Sequence, residues 1–316
     1  MTLQTVRDGL AGISGVHVVP YAADGSVDHT LLARIVSDIA AAGIHNIVSA
    51  GNTGEFFSLT EREVLAVQAT TIEAVAGKSL VTAAVGRSLT EAIATGRAAK
   101  ACGADAIMSH HPNDPFAAPQ SQADYFIALA DSVDLPLVAY VRTDALGVAN
   151  LVRIANHPNV AGVKFANTNL MQLAECVRAT QGGPAVWVCG LAEGWAAPFY
   201  ALGARGFTSG LVNVDPARSL AIWRALHDGD FAAARTLFNP IVPFETLRTR
   251  FNNGANVTVV KQAMALMGYP VGPARLPNLP ALDHADAELL ATVIKSWQDN
   301  PVINPATAHQ GALAAE

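Results

Sequence analysis

The sequence predicts an α/β fold, a (β/α)8 TIM barrel with a C-terminal helical extension, on three observations. Between about residue 16 and about residue 226, short β-rich runs alternate with amphipathic helical stretches, the order expected of parallel strands joined by crossover helices. No Asn-Gly or Asp-Gly turn joins two of those runs, so antiparallel hairpins are not indicated. The β-rich runs number eight, which is the number that closes a barrel. At 316 residues and 51% hydrophobic, the chain can bury a core of that size. The expected division is a barrel over residues 1–228, a helical extension over 229–299, and a flexible tail of small and polar residues over 300–316.

The candidate strands begin near Val16 (VHVVP), Asn46 (NIVSA), Leu80 (LVTAAV), Ala106 (AIMS), Leu137 (LVAY), Gly162 (GVKF), Val186 (VWVC) and Gly206 (GFTSG). Helix signals fall between them. In SVDHTLLARIVSDIAAAG, Leu31, Leu32, Ile35, Val36 and Ile39 share one helical face, and Gly43 follows as a left-handed terminating residue. Thr60 with Glu63, and Ser88 with Glu91, stand at capping-box spacing. Asp215 precedes Pro216, a capping acid before a proline at the first helical position. Gly43, Gly103 and Gly203 each close a helix before a strand. After about residue 229 the strands stop, and DFAAARTLFNPIVPFETL, NVTVVKQAMALMG and HADAELLATVIKSWQ read as three helices joined by the proline-rich PVGPARLPNLPALD. They are expected to cover one side of the barrel or to meet another subunit.

Composition excludes several classes of function. A net charge of −6 and the lack of any basic cluster argue against nucleic acid. No stretch of about 18 apolar residues is free of charge, which argues against a membrane span. The segment MTLQTVRDGL lacks the basic flank and apolar block of a signal peptide, so a cytoplasmic protein is expected. Cys102, Cys176 and Cys189 form no CxxC pair and are expected to be reduced core thiols.

The chemistry is sought at the C-terminal ends of the strands, where barrel enzymes carry it. Lys164 stands in NVAGVKFANTNL, an otherwise apolar run that reads as a buried strand. Desolvation disfavours the ammonium form, so its pKa should fall from about 10.4 toward neutrality, and a neutral amine attacks ketones. A structural lysine paired with a carboxylate fits the same stretch. The other lysines, Lys78, Lys100, Lys261 and Lys295, fall in a loop or in helical stretches with polar company. The second strand ends in GNTGE, where Asn52, Thr53 and Gly54 offer amides and hydroxyls suited to a carboxylate, or simply a tight turn. Tyr140 ends the fifth strand as a proton shuttle or a buried core phenol, and Arg142 can hold an acid or pair at the rim. His110 and His111 are adjacent and therefore face opposite sides of an extended chain, and no HxH or HExxH accompanies them, so a metal is not indicated. Glu55, Asp114 and Glu193 read as orienting or surface carboxylates.

Taken together, GVHVVPYAADGSVD, GNTGEFFSLT, AYVRTD and AGVKFANTNL resemble, in order and spacing, the dihydrodipicolinate synthase and N-acetylneuraminate lyase family of Schiff-base barrel enzymes. The resemblance implies that Lys164 forms an imine with a 2-oxo acid and that Tyr140 moves protons. It also implies that Asn52 and Thr53 grip the substrate carboxylate beside Gly54, and that Ser209 and Gly210 line the pocket. No metal or organic cofactor is implied, and the expected partner is a small 2-oxo acid. A homo-oligomer, dimer or tetramer, is expected as well.

Two departures bear on the substrate. HHPNDPF replaces the TPYY-like segment of the synthases, which removes their tyrosine relay, and YVRTD brings Arg142 within two residues of Tyr140. GEFFSLT, YVR, GFTSGLVNVDP and VKQAMALMG with GPARLP look more like the 5-dehydro-4-deoxyglucarate dehydratase branch. That branch usually shows a YNRD-like element and an acid after the lysine, where this chain has Val141, Thr143 and Phe165. The expected reaction is dehydration of a keto-deoxy sugar acid, with or without decarboxylation. The alternatives are a keto-deoxy acid aldolase, a 4-hydroxy-tetrahydrodipicolinate synthase, a metal-dependent barrel hydrolase, and a catalytically silent sugar-acid sensor on the same barrel.

Overall fold

A computed structural model describes residues 2–302. Its strands are β1 (Ile13–Val16), β2 (Asn46–Ser49), β3 (Leu80–Val85), β4 (Ala106–Ser109), β5 (Leu137–Val141), β6 (Val160–Phe165), β7 (Val186–Cys189) and β8 (Gly206–Ser209), hydrogen-bonded in chain order into a closed barrel. The helices are α1 (Leu3–Leu10), α2 (His29–Ala41), α3 (Glu61–Val75), α4 (Leu89–Cys102), α5 (Pro119–Ser132), α6 (Gly147–Ala155), α7 (Leu170–Ala179), α8 (Glu193–Ala201), α9 (Pro216–His227), α10 (Phe231–Phe238), α11 (Val242–Asn253), α12 (Asn256–Leu266) and α13 (His284–Asp299). The predicted α/β barrel is the fold. Among the described residues no helix is long and apolar enough to cross a membrane.

Local chemistry sets the element ends. Both capping boxes form: Thr60 with Glu63 opens α3, and Ser88 with Glu91 opens α4. Asp28 caps α2, and Asp215 caps α9 ahead of Pro216. Three elements differ from expectation. β1 occupies ISGV, and not the VHVVP run: the Val18 amide donates to Asn213 Oδ1 at 3.0 Å, and Asn213 Nδ2 donates to Val16 O at 2.9 Å. A side chain thus satisfies backbone that would otherwise extend the ladder. α1 precedes the first strand, capped by Thr2, whose Oγ1 accepts from the Thr5 amide at 3.1 Å. The first of the three late helices is two, α10 and α11, separated by a 3-10 turn at Asn239–Ile241 that contains Pro240. Asp24 and Gly25 do form a tight turn, closing an isolated antiparallel bridge between Tyr21 and Val27 that joins no barrel strands.

The described residues pack as two compact units, those within Met1–Ser14 with Leu80–Thr208, and those within Gly15–Ser79 with Ser209–Glu316. In the first, β3 through β7 run parallel, with one register shift between β5 and β6 at Leu137/Val138, and Phe126, Phe165, Phe199 and Ile107 are fully buried. The Phe165 ring meets Trp187 edge-on at 6.2 Å and Phe199 at 6.1 Å. In the second, Leu32, Ile35, Ile44, Ile47 and Phe244 form the apolar centre. Cys176 and Cys189 are buried as expected, but Cys102 is exposed: it ends α4, beside the terminating Gly103. Residues 303–316 of the expected tail lie outside the described residues.

Candidate active site

In the first unit, β5 and β6 pair with Tyr140 opposite Lys164. Both side chains are buried, and Lys164 Nζ lies 3.9 Å from the centre of the Tyr140 ring. Among the described residues no carboxylate pairs with that amine. Burial, and after it the like charge of Arg142, bring the Lys164 pKa down to about 7. The amine is therefore substantially neutral at neutral pH, which is what attack on a ketone requires. Burial raises the Tyr140 pKa, against the opposing pull of Arg142, so the phenol stays protonated beside the amine. Arg142 itself is exposed, two residues along from Tyr140.

The two histidines after β4 separate as an extended chain requires. The buried His110 ring lies 5.7 Å from that of Tyr140, whereas the His111 ring lies 6.2 Å from Phe126. Among the described residues no three His, Cys, Asp or Glu side chains gather as metal ligands would. Asp114 is exposed and accepts from the Phe116 amide at 2.9 Å, while Glu193 is buried in the first turn of α8. The nearness of His110 to the tyrosine was not legible in sequence, because it depends on the β4 to β5 register.

The second unit holds the GNTGE turn. It does not run directly into α3, since a 3-10 turn at Phe56–Ser58 intervenes. The Glu55 and Phe56 amides bond back to Asn52 O at 3.1 Å and Gly51 O at 3.3 Å. Among the described residues no protein group engages the amides of Thr53 and Gly54 or the Thr53 hydroxyl. Gly54 packs so closely that a Cβ there would lie 2.9 Å from the His17 carbonyl oxygen. Beneath the turn, His17 Nδ1 meets Val18 O at 2.9 Å, His17 Nε2 meets Thr71 Oγ1 at 3.0 Å, and Thr71 meets Ser49 Oγ at 3.0 Å. Burial lowers the His17 pKa to about 4, so this network is neutral.

Glu55 is neither a surface group nor lightly held. Its side chain is fully buried and ion-paired at 2.6 Å with Lys261 of α12, which is itself 2% exposed. Lys261 is thus a second buried lysine, contrary to the polar company expected of it. Its helical neighbours Val257 and Met264 are both buried, and that apolar spacing was the available signal. At the end of β8, Ser209 Oγ lies 3.0 Å from Ser219 Oγ and accepts from the Val212 amide at 3.2 Å. A Cβ on Gly210 would lie 2.7 Å from Nη2 of Arg248, whose Nε donates to Asn256 Oδ1 at 2.8 Å. The sequence reading did not single out Arg248.

A parallel barrel whose sixth strand carries a desolvated lysine beside a buried tyrosine has the groups that a Schiff-base lyase requires. The comparisons with known proteins agree. The model of the dihydrodipicolinate synthetase family matches residues 9–296. A 4-hydroxy-tetrahydrodipicolinate synthase of Methanosphaerula palustris is 34% identical over 289 residues, 89% of this chain and 96% of that protein. A probable 5-dehydro-4-deoxyglucarate dehydratase of Streptomyces avermitilis is 34% identical over 298 residues, 92% of this chain and 89% of that protein. The crystal structure of dihydrodipicolinate synthase from Bacillus clausii superposes with a TM-score of 0.90 at 37% identity, covering 93% of this chain and 99% of that one. The chain belongs to the dihydrodipicolinate synthetase family.

Proposed function

We propose that the protein dehydrates a keto-deoxy sugar acid of the 5-dehydro-4-deoxyglucarate type, with loss of carbon dioxide, through an imine at Lys164. The observation that carries this reading is the desolvated Lys164 amine above the Tyr140 ring. The amine attacks the ketone to form a C–N bond, and the carbonyl oxygen leaves as water to give an iminium. The iminium acidifies the neighbouring carbon, and loss of its proton yields an enamine that expels the β-hydroxyl as a second water. In the conjugated iminium that results, the C–C bond to the remote carboxylate breaks, its electron pair passes into the iminium and carbon dioxide leaves. Protonation of the carbon chain and hydrolysis by one water then release the product and restore the lysine. Tyr140 moves the protons in these steps. The motif match assigns the substrate carboxylate to Asn52, Thr53 and Gly54, and the open donors of Thr53 and Gly54 support that role. Arg142 is assigned the second carboxylate, and Ser209 and Gly210 a place in the pocket lining. The working form is a cytoplasmic homo-oligomer, dimer or tetramer.

The branch is chosen on HHPNDPF, which lacks the tyrosine of the synthases, and on the dehydratase relatives. A second reading, 4-hydroxy-tetrahydrodipicolinate synthase, draws on the relatives that carry that name. A panel separates them. Keto-deoxy sugar acids are assayed for carbon dioxide and for pyruvate release, and pyruvate with aspartate semialdehyde for condensation. Carbon dioxide from 5-dehydro-4-deoxyglucarate supports the proposal, pyruvate release points to an aldolase, and condensation alone contradicts it in favour of the synthase.

A further inference from the structure

Among the described residues two lysines are buried, and of these Lys261 alone is ion-paired. Lys261 Nζ lies 2.6 Å from Glu55 Oε1, donates to Pro273 O at 3.1 Å and sits 4.0 Å from the centre of the Tyr21 ring. Glu55 Oε2 accepts from the Arg275 amide at 2.8 Å and from Asn278 Nδ2 at 3.4 Å. With these donors around it the carboxylate is not free to act as a general base, and although burial lowers the Lys261 pKa, the facing Glu55 carboxylate opposes that shift and occupies the amine.

The pair is placed at a strained backbone. Ala50 and Glu55, at the two ends of the turn, both have left-handed φ values, 56° and 55°. Residues without glycine's freedom hold that conformation only where the surroundings over-determine it. At Glu55 the surroundings are its own side chain, clamped by α12 and by the segment that carries Arg275 and Asn278. The two residues before it, Thr53 and Gly54, carry the amides left open within the protein.

We infer that Lys261 is a positioning residue: through Glu55 it fixes the backbone of the GNTGE turn, and so aims the Thr53 and Gly54 amides at the substrate carboxylate. The inference rests on the reading of that turn as the carboxylate holder. It gives the C-terminal helices a share in substrate binding that their distance in sequence from the motif conceals. Loss of the Lys261 ammonium leaves the imine chemistry intact and weakens the grip on the acid.

The test is borohydride trapping with pyruvate as the probe, read by intact mass, on the full-length protein and on the K261M, K261R and E55Q variants. For K261M and E55Q the half-saturating pyruvate concentration should rise by about tenfold or more, within the ~10²-fold range that small displacements of a binding group produce. The trapped fraction at saturation and the pH midpoint of trapping should stay those of the wild type, and K261R should recover most of the affinity. A merely structural role lowers the melting temperature and leaves half-saturation unmoved. That result in folded K261M, or in E55Q should K261M not fold, overturns the inference. No adduct in the wild type overturns the parent reading instead.

Discussion

Lys164 and Lys261 show how much a single contact decides. Both are buried, yet Lys261 faces a carboxylate at 2.6 Å and Lys164 faces an aromatic ring at 3.9 Å. For Lys164 the consequence is a pKa of about 7 in the folded chain against about 10.4 in an unfolded one. Between those values the unfolded state binds the additional proton, so stability rises with pH across that window. Below pH 7 the folded state carries the buried charge and the full cost. Lys164→Met should therefore be more stable than wild type by about 3–5 kcal/mol at pH 6. The difference should shrink toward zero near pH 10.5 when urea unfolding is followed across the range. The same pKa predicts that the rate of imine formation climbs with pH and levels off above about 8, as the amine becomes neutral. Burial of Lys164 was legible from its apolar neighbours. Its lack of a partner was not, because that depends on what neighbouring strands present to it.

At the scale of elements, local sequence carried most of the information. Thr60, Ser88 and Asp215 mark helix starts through bonds that span three residues, and these are visible in any window of the chain. Ser88→Ala should cost about 1 kcal/mol in thermal or denaturant unfolding and leave imine formation unchanged, since the box acts only on the first turn of α4. What failed were the elements with distant partners. VHVVP has the composition of a strand, but Asn213, 195 residues from Val18, takes its hydrogen bond. Glu55 looked like a turn carboxylate because its partners, Lys261, Arg275 and Asn278, all lie beyond residue 260. The helix start at Val242 follows from Pro240, a signal present in the chain but outweighed by the apolar period on either side of it.

For the whole molecule, the count and order of the strands were enough to predict a closed barrel, because parallel strands joined by helices have few ways to bury both faces. The motifs placed at the strand ends then named the family, and the family model spans 9–296. Substrate choice lies below that resolution, since relatives with synthase and dehydratase names are equally identical to this chain at 34%. The chemistry common to both is the imine, and it can be measured without knowing the substrate. The protein is incubated with pyruvate, reduced with borohydride and digested, and the adduct is located by peptide mass mapping. The account predicts a single adduct on the peptide containing Lys164, with none on the peptide containing Lys261. An adduct at Lys261, or none at Lys164 while calorimetry shows pyruvate bound, would contradict it.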